Sequence, residues 1–421
     1  MKYVVLLKKY KILNIKVKSF LIMKEGFFMK YNFDDVNNRL HTNCLKWDGL
    51  EERFGISDKD LLPLWVADMD FKAPQCVIDA IMNRAEHGIY GYAGGYDTYY
   101  DAVIHWMKHR YHWDIKKEWI VFTPGVVPAL NMIVKAFTHP GDKVIIQSPI
   151  YPPFFNSIKN NSCHVVNNPL KFDGKKYVMD FDDLEKKMED QVKLMFLCSP
   201  HNPVGRVWHK EEIKRLGDLC IKNNVILVSD EIHADLVLKG HKHTSLASIS
   251  EEFAQNTIVC TAPSKTFNIA GIQTSNIIIP NEKIRNQFLK ERESVGISKP
   301  NVFGIEALEA AYLHGEEWLE QLLGYLQENL TFLIKYIEEN IPKIKVIQPE
   351  ATYLVWLDLR ELGLNKNDLE NIIFNEGKLV LNQGYTYGEE GEGFVRINIA
   401  CPRSILKEGL SRLKKVIDNQ I

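Results

Sequence analysis

The chain has 421 residues, 45% of them hydrophobic and 25% charged, with a formal net charge of −2 at pH 7. That supplies a large core for one or two domains, and no basic or acidic block runs through the main body, so neither nucleic acid nor a membrane is expected as a partner. Seven scattered cysteines, Cys44, Cys76, Cys163, Cys198, Cys220, Cys260 and Cys401, are odd in number and never spaced as metal ligands, which fits a reducing cytoplasm.

At the start, Lys8, Lys9, Lys11, Lys16 and Lys18 interrupt the apolar residues, leaving no continuous segment for a signal peptide; no stretch anywhere approaches a membrane span. Met29, followed by Lys30-Tyr31-Asn32-Phe33-Asp34, is a more natural beginning, so residues 1–28 are expected to be an extension outside the fold. From about residue 76 to 280, short apolar runs alternate with amphipathic ones. Residues 120–123, 143–147, 194–198, 225–229, 258–261 and 276–279 are expected strands, and segments such as 210–220 carry apolar residues at helical spacing. This α/β pattern implies a mostly parallel sheet covered by helices on both faces. After Pro300 a long helical region runs past Glu320, and the remainder, through 351–359 and 393–400, mixes strands and helices in a smaller α+β domain. The expected organisation is a segment 29–75 joining the smaller domain, a large domain 76–310 and a small domain 311–421.

Lys265 is the most informative residue. It stands in Thr261-Ala262-Pro263-Ser264-Lys265-Thr266-Phe267-Asn268, just past an apolar run, while Asp230 ends the run Val225-Ile226-Leu227-Val228-Ser229-Asp230 and Asn202 lies in Ser199-Pro200-His201-Asn202-Pro203-Val204-Gly205. Both charged groups should emerge at carboxyl ends of strands, the edge where open α/β sheets bind ligands. An amine and a carboxylate placed so meet the needs of pyridoxal phosphate, which requires a lysine to condense with its aldehyde and an acid to keep its ring nitrogen protonated. Singly, the lysine is a solvated surface charge and the aspartate a helix cap. In the order Asn, Asp, Lys they resemble the fold-type I pyridoxal-phosphate enzymes.

That resemblance implies roles residue by residue. Lys265 is the catalytic amine, serving also as general base, and Asp230 faces the ring nitrogen. Asn202 and His233 hold the phenolic oxygen, although a histidine there is equally a packed loop residue. Phosphate is expected on the free amides of Gly125, Val126 and Val127, where a strand meets a glycine and a helix opens with Pro128 in its first turn, and on Ser264. Tyr151 stacks on the ring or packs the core. Arg396, in an alternating strand, clamps the α-carboxylate of an amino-acid substrate or is an ordinary surface arginine; Arg403 is the weaker candidate.

Four segments narrow the likeness: Leu64-Trp65-Val66-Ala67-Asp68-Met69-Asp70-Phe71, Tyr90-Gly91-Tyr92, Ser229-Asp230-Glu231-Ile232-His233 and Gly384-Tyr385-Thr386-Tyr387-Gly388-Glu389-Glu390-Gly391. From about residue 30 onward the chain resembles the cystathionine β-lyase, or cysteine C–S lyase, branch of the class I/II aminotransferase-like proteins. This implies elimination from cystathionine, cysteine or related S-conjugates to thiol, pyruvate and ammonia, in a homodimer where Tyr92 reaches the cofactor phosphate of the opposite subunit. Ala262, where many relatives carry serine, and Gln273, where aspartate aminotransferases carry arginine, leave the phosphate less neutralised. An aminotransferase starts from the same residues but needs a keto acid. A cofactor-binding regulatory module without turnover is a third reading, against which Lys265, Asp230, Asn202 and Arg396 count. His105, His109 and His112 share helical spacing, but Lys108 and Arg110 beside them indicate a solvated face, so no metal is expected. The glycine-rich run 388–393 lacks the lysine and hydroxyl residue of a nucleotide loop.

Overall fold

A computed structural model describes residues 31–55 and 60–419; the extension expected over residues 1–28 lies outside them. A seven-stranded sheet forms from β1 (Ile120–Thr123), β2 (Lys143–Ile146), β3 (His164–Asn167), β4 (Val192–Cys198), β5 (Ile226–Asp230), β6 (Thr257–Thr261) and β7 (Ser275–Ile278), in the spatial order β1-β7-β6-β5-β4-β2-β3. β7 runs antiparallel to both neighbours and every other pairing is parallel. The central strands read as continuous apolar runs because both faces are covered. Along β4, Leu194, Phe196 and Cys198 enter one apolar cluster and Met195 and Leu197 another on the opposite face. All six expected strands are present. β3 was not foreseen: it is an edge strand, exposed at His164 and only half-buried beyond, so it carries too little apolar signal.

The helices used below are α1 (Gln75–Glu86), α2 (Asp97–Tyr111), α3 (Val126–Phe137), α4 (Lys210–Lys222), α5 (Glu282–Ser294), α6 (Val302–His314), α7 (Glu316–Asn340) and α8 (Arg403–Asp418). α3 packs with α5, and α6 packs against α1 and α2. The long helical region after Pro300 is two helices, α6 and α7, broken at Gly315. A side chain there would meet the Ala311 carbonyl at 2.5 Å and the Phe267 ring at 2.6 Å, so the break lets the Lys265 turn approach closely. Leu319, Leu322, Leu326, Leu330, Leu333 and Ile337 line the buried face of α7, which packs on α8.

The second sheet is antiparallel, in the order β8 (Lys345–Ile347), β9 (Leu354–Asp358), β11 (Phe394–Asn398), β10 (Asn382–Gln383). Arg396 was expected on an alternating strand, yet all five residues of β11 are buried. One face puts Val395 and Ile397 into the apolar core; on the other Phe394 stacks on Trp356, and Arg396 and Asn398 are covered by residues 64–71. Leu62–Pro63 pairs in parallel with Leu379–Val380, which brings residues 64–71 alongside the second sheet before they cross to the Lys265 turn.

Candidate active site

Residues 64–71 form a strap whose every carbonyl accepts a hydrogen bond from a distant part of the chain. Leu64 O takes the Asn398 amide, Trp65 O takes Arg396 Nη2, and Val66 O and Asp68 O share Asn398 Nδ2. Ala67 O accepts from Lys265 Nζ at 2.6 Å and from the Tyr353 hydroxyl at 3.0 Å. Met69 O takes Arg39 Nη1 and Asn268 Nδ2, Asp70 O takes Asn37 Nδ2, and Phe71 O takes Asn268 Nδ2. The strap's carboxylates are held by Arg39, 2.6 Å from Asp68, and by the fully buried Lys46, 2.7 Å from Asp70. Irregular backbone at this depth is stable only with such complete partnering.

Beneath the strap, Gly125, Val126, Val127, Tyr151, Asn202, Asp230, His233, Ser264 and Lys265 all line one cavity of about 190 Å³. Asp230 ends β5, Lys265 sits on the short turn Pro263–Thr266 after β6, and Gly125 precedes α3, whose N-terminus has no side-chain cap. Arg396 lines an adjoining cavity of about 490 Å³ that shares Ala67, Tyr151 and Lys265 with the first. Tyr92 is fully exposed and lines neither cavity, and Arg403 donates instead to Asn329 Oδ1 at 2.6 Å, away from both. Gln273 borders the smaller cavity; Ala262 does not.

Burial sets the protonation of this floor. The Asp230 carboxyl is pushed up to about 7, chiefly by burial, against one hydrogen bond from the Ile232 amide at 3.1 Å. Its neighbour Glu231 turns elsewhere, accepting from Ser229, Ser245 and His243. Burial lowers the Lys265 ammonium to about 8 and Arg396 adds to this, while Asp68 and Asp230 oppose it. His233 is driven down to about 3 by burial and by the cations of Lys265 and Arg396, so its ring is neutral, and its Nδ1 has no partner among the described residues. Arg396 is held by Asn202 Oδ1 at 2.9 Å, Asn382 Oδ1 at 2.6 Å and Trp65 O at 3.0 Å, over the Tyr387 ring, with Nε unpaired among the described residues. The site therefore joins a readily neutralised amine, a proton-sharing carboxyl and a fixed guanidinium.

Sequence reasoning missed Asn268 and Tyr353, which act on the strap. Asn268 lay within the quoted Lys265 motif, and its left-handed backbone, φ 56°, was the available signal that asparagine was needed there. Of the three histidines on the α2 segment, His105 and His109 stack with ring centres 5.7 Å apart, and α7 brings Glu316 to 3.0 Å from His109 Nε2, an acid the sequence did not place near. Among the described residues no group of histidine, cysteine or acidic side chains is arranged to hold a metal ion.

Residues 59–413 match the family described as aminotransferase class I and II. Over 387 residues the chain is 45% identical to cystathionine beta-lyase PatB of Bacillus subtilis strain 168, covering 92% of this chain and 100% of that protein. A crystal structure from Clostridium difficile 630 with bound PLP, provisionally labelled an aminotransferase, is 48% identical with a TM-score of 0.90, covering 92% of this chain and 100% of its own. Cystalysin from Treponema denticola, which contains a pyridoxal 5'-phosphate cofactor, is 40% identical with a TM-score of 0.90, covering 93% and 100%. With a match that spans most of its length and the fold-type I sheet of its solved relatives, the chain belongs to the aminotransferase class I and II family.

Proposed function

We propose that the protein is a pyridoxal-phosphate-dependent C–S β-lyase that cleaves cystathionine, cysteine or related S-conjugates. The observation that carries this reading is the cavity in which an amine near 8, a carboxyl near 7 and a partnerless imidazole nitrogen converge, in a chain 45% identical along its length to a cystathionine beta-lyase. Buried polar groups left this incomplete fit a polar cofactor that completes them. When bound, the cofactor supplies an aldehyde for the lysine and an electron-withdrawing ring that acidifies the substrate Cα proton.

The chain's own groups do the rest. Asp230 holds the proton on the ring nitrogen, and Asn202 and His233 hold the phenolic oxygen. The uncapped amides at Gly125, Val126 and Val127, with Ser264, take the phosphate. Tyr151, which borders both cavities, would lie against the ring. Arg396, already immobilised by Asn202 and Asn382, grips the α-carboxylate, and the Lys265 amine removes the Cα proton. Cystathionine and one water give homocysteine, pyruvate and ammonia, a balance that calls for no oxidant and no keto acid. In this reading the large domain, 76–310, supplies the floor, while 29–75 and 311–421 supply the strap and the guanidinium. The exposed Tyr92 completes the site of a second copy in a homodimer, and the seven free cysteines fit a cytoplasmic protein.

Purified protein with added cofactor is expected to release pyruvate from L-cystathionine without any keto acid, measured by coupling to lactate dehydrogenase. Amino-group transfer that proceeds only with an added keto acid would make it an aminotransferase instead. Lys265→Ala should lower pyruvate release at least ~10³-fold and abolish the borohydride-trapped lysine adduct. Sedimentation showing only monomers at assay concentration would end the shared-site part of the reading.

A further inference from the structure

The larger cavity has a charged far wall that the mechanism above does not use. Arg53 and Glu370 both line it. The Arg53 guanidinium lies 5.0 Å from the centre of the Trp65 ring, and its charge reaches Tyr151, the residue bordering both cavities. Glu370 accepts a hydrogen bond from the Tyr385 hydroxyl at 3.1 Å. The nearby Lys366 ammonium sits over the Tyr385 ring, 3.6 Å from its centre, rather than on Glu370. Among the described residues neither Arg53 nor Glu370 forms an ion pair. The wall carrying them is apolar, with Phe54 packed 5.3 Å from Trp65 and 5.2 Å from Phe374. The charges that bear on the Lys265 amine are Asp68, Arg396 and Asp230, so Arg53 and Glu370 stand apart from the reacting end.

One cavity thus holds Arg396, the guanidinium that the lyase reading assigns to the α-carboxylate, and also an apolar wall with a second cation and an anion that form no ion pair among the described residues. An α-amino acid with a plain alkyl thioether leaves that second pair idle. Resting on the lyase reading, we infer that Arg53 and Glu370 are specificity-determining residues for a distal amino-acid group, Arg53 binding its carboxylate and Glu370 its ammonium. The preferred substrate is then a thioether with a zwitterion at each end, and the aromatic wall covers the methylenes between them.

The test compares kcat/KM for L-cystathionine, S-(3-carboxypropyl)-L-cysteine, which lacks only the distal amine, S-(3-aminopropyl)-L-cysteine, which lacks only the distal carboxylate, and S-ethyl-L-cysteine. In the wild-type holoenzyme each analogue lacking one charge should be poorer than cystathionine by about tenfold, the scale of one charge-assisted hydrogen bond. Arg53→Met should lower kcat/KM about tenfold for cystathionine and the carboxypropyl analogue, yet less than about twofold for the aminopropyl and ethyl ones. Glu370→Gln should penalise cystathionine and the aminopropyl analogue only, and Arg53→Lys should recover part of the cystathionine rate. Losses of equal size for cystathionine and S-ethyl-L-cysteine, or none for either, overturn the inference. The wild-type series needs no variant, so a variant that fails to retain cofactor absorbance does not rescue the idea. Absence of pyruvate from all four compounds with wild-type enzyme is a different failure, that of the lyase reading itself.

Discussion

The strap at residues 64–71 and the floor around Lys265 touch each other, yet they treat buried polarity in opposite ways. On the strap every carbonyl is satisfied, those of Ala67 and Met69 twice. On the floor, Asp230 has one backbone donor and, among the described residues, His233 Nδ1 has no partner; above it Arg396 Nε has no acceptor. An unsatisfied buried polar atom costs about 1–3 kcal/mol, so a fold tolerates several together only where something else completes them. The adjacent pair Asp230 and Glu231 shows the contrast within one dipeptide: Glu231 is saturated by two hydroxyls and an imidazole, whereas Asp230 is left facing the cavity. Within this dipeptide the saturated acid belongs to the scaffold and the incomplete one faces the cavity.

The largest test of that contrast is to satisfy the floor artificially. Asp230→Asn keeps the shape and removes the charge, so pyruvate release should fall by roughly 10²–10³-fold as the ring nitrogen loses its acid partner. Stability should move the other way near neutrality. The folded carboxyl titrates near 7, above its ordinary 3.8, so its contribution is fully present below 3.8 and is lost as pH rises through 7. Between those values the wild-type apoprotein should lose ground to the asparagine variant by a few kcal/mol at most. Urea unfolding of both apoproteins at pH 5 and pH 8 measures this, and a gap that does not change with pH would refute burial as the cause of the raised value.

Breaking the saturated side should cost stability first. Asn268 makes three hydrogen bonds to the strap, to Met69 N and O at 2.9 Å and to Phe71 O at 2.8 Å. Asn268→Ala removes all three and puts alanine at φ 56°, for an expected loss of roughly 3–4 kcal/mol. Asn268→Gly removes the same bonds but suits the backbone, so it should be milder by about 1 kcal/mol. Equal denaturation midpoints for the two variants would mean that the hydrogen bonds alone set the cost.

How much of this was readable beforehand follows the same division. The central strands were legible because burial on both faces leaves uninterrupted apolar runs, and Asp230 and Lys265 stood out as charges placed directly after such runs. The edge strand β3 was not, since half-exposure dilutes the signal, and neither was the antiparallel direction of β7, which composition does not encode. The burial of Arg396 also escaped, because the strap that covers its strand comes from 331 residues away in sequence. Asn268 and Tyr353 were missed for the same reason: their partners lie 199 and 286 residues off, and local pattern carries no trace of a contact that distant. Tyr92 is the opposite case, proposed from resemblance alone and left exposed by this chain's own fold.

The smallest change sharpens the comparison most finely, because it falls on the one atom that belongs to both regions. Ala67 O is a strap carbonyl, yet it accepts from the floor's Lys265 Nζ as well as from the buried Tyr353 hydroxyl. In the apoprotein, Tyr353→Phe should cost only about 0.5–1 kcal/mol, since the lysine still satisfies that carbonyl. Once the amine is committed to the cofactor, Tyr353 becomes the main donor to Ala67 O, and the same substitution should cost about 1–2 kcal/mol. Urea unfolding of wild type and variant, with and without cofactor, reads the difference directly. A penalty that is the same in both states would show that Ala67 O does not depend on the lysine, and that strap and floor are independent after all.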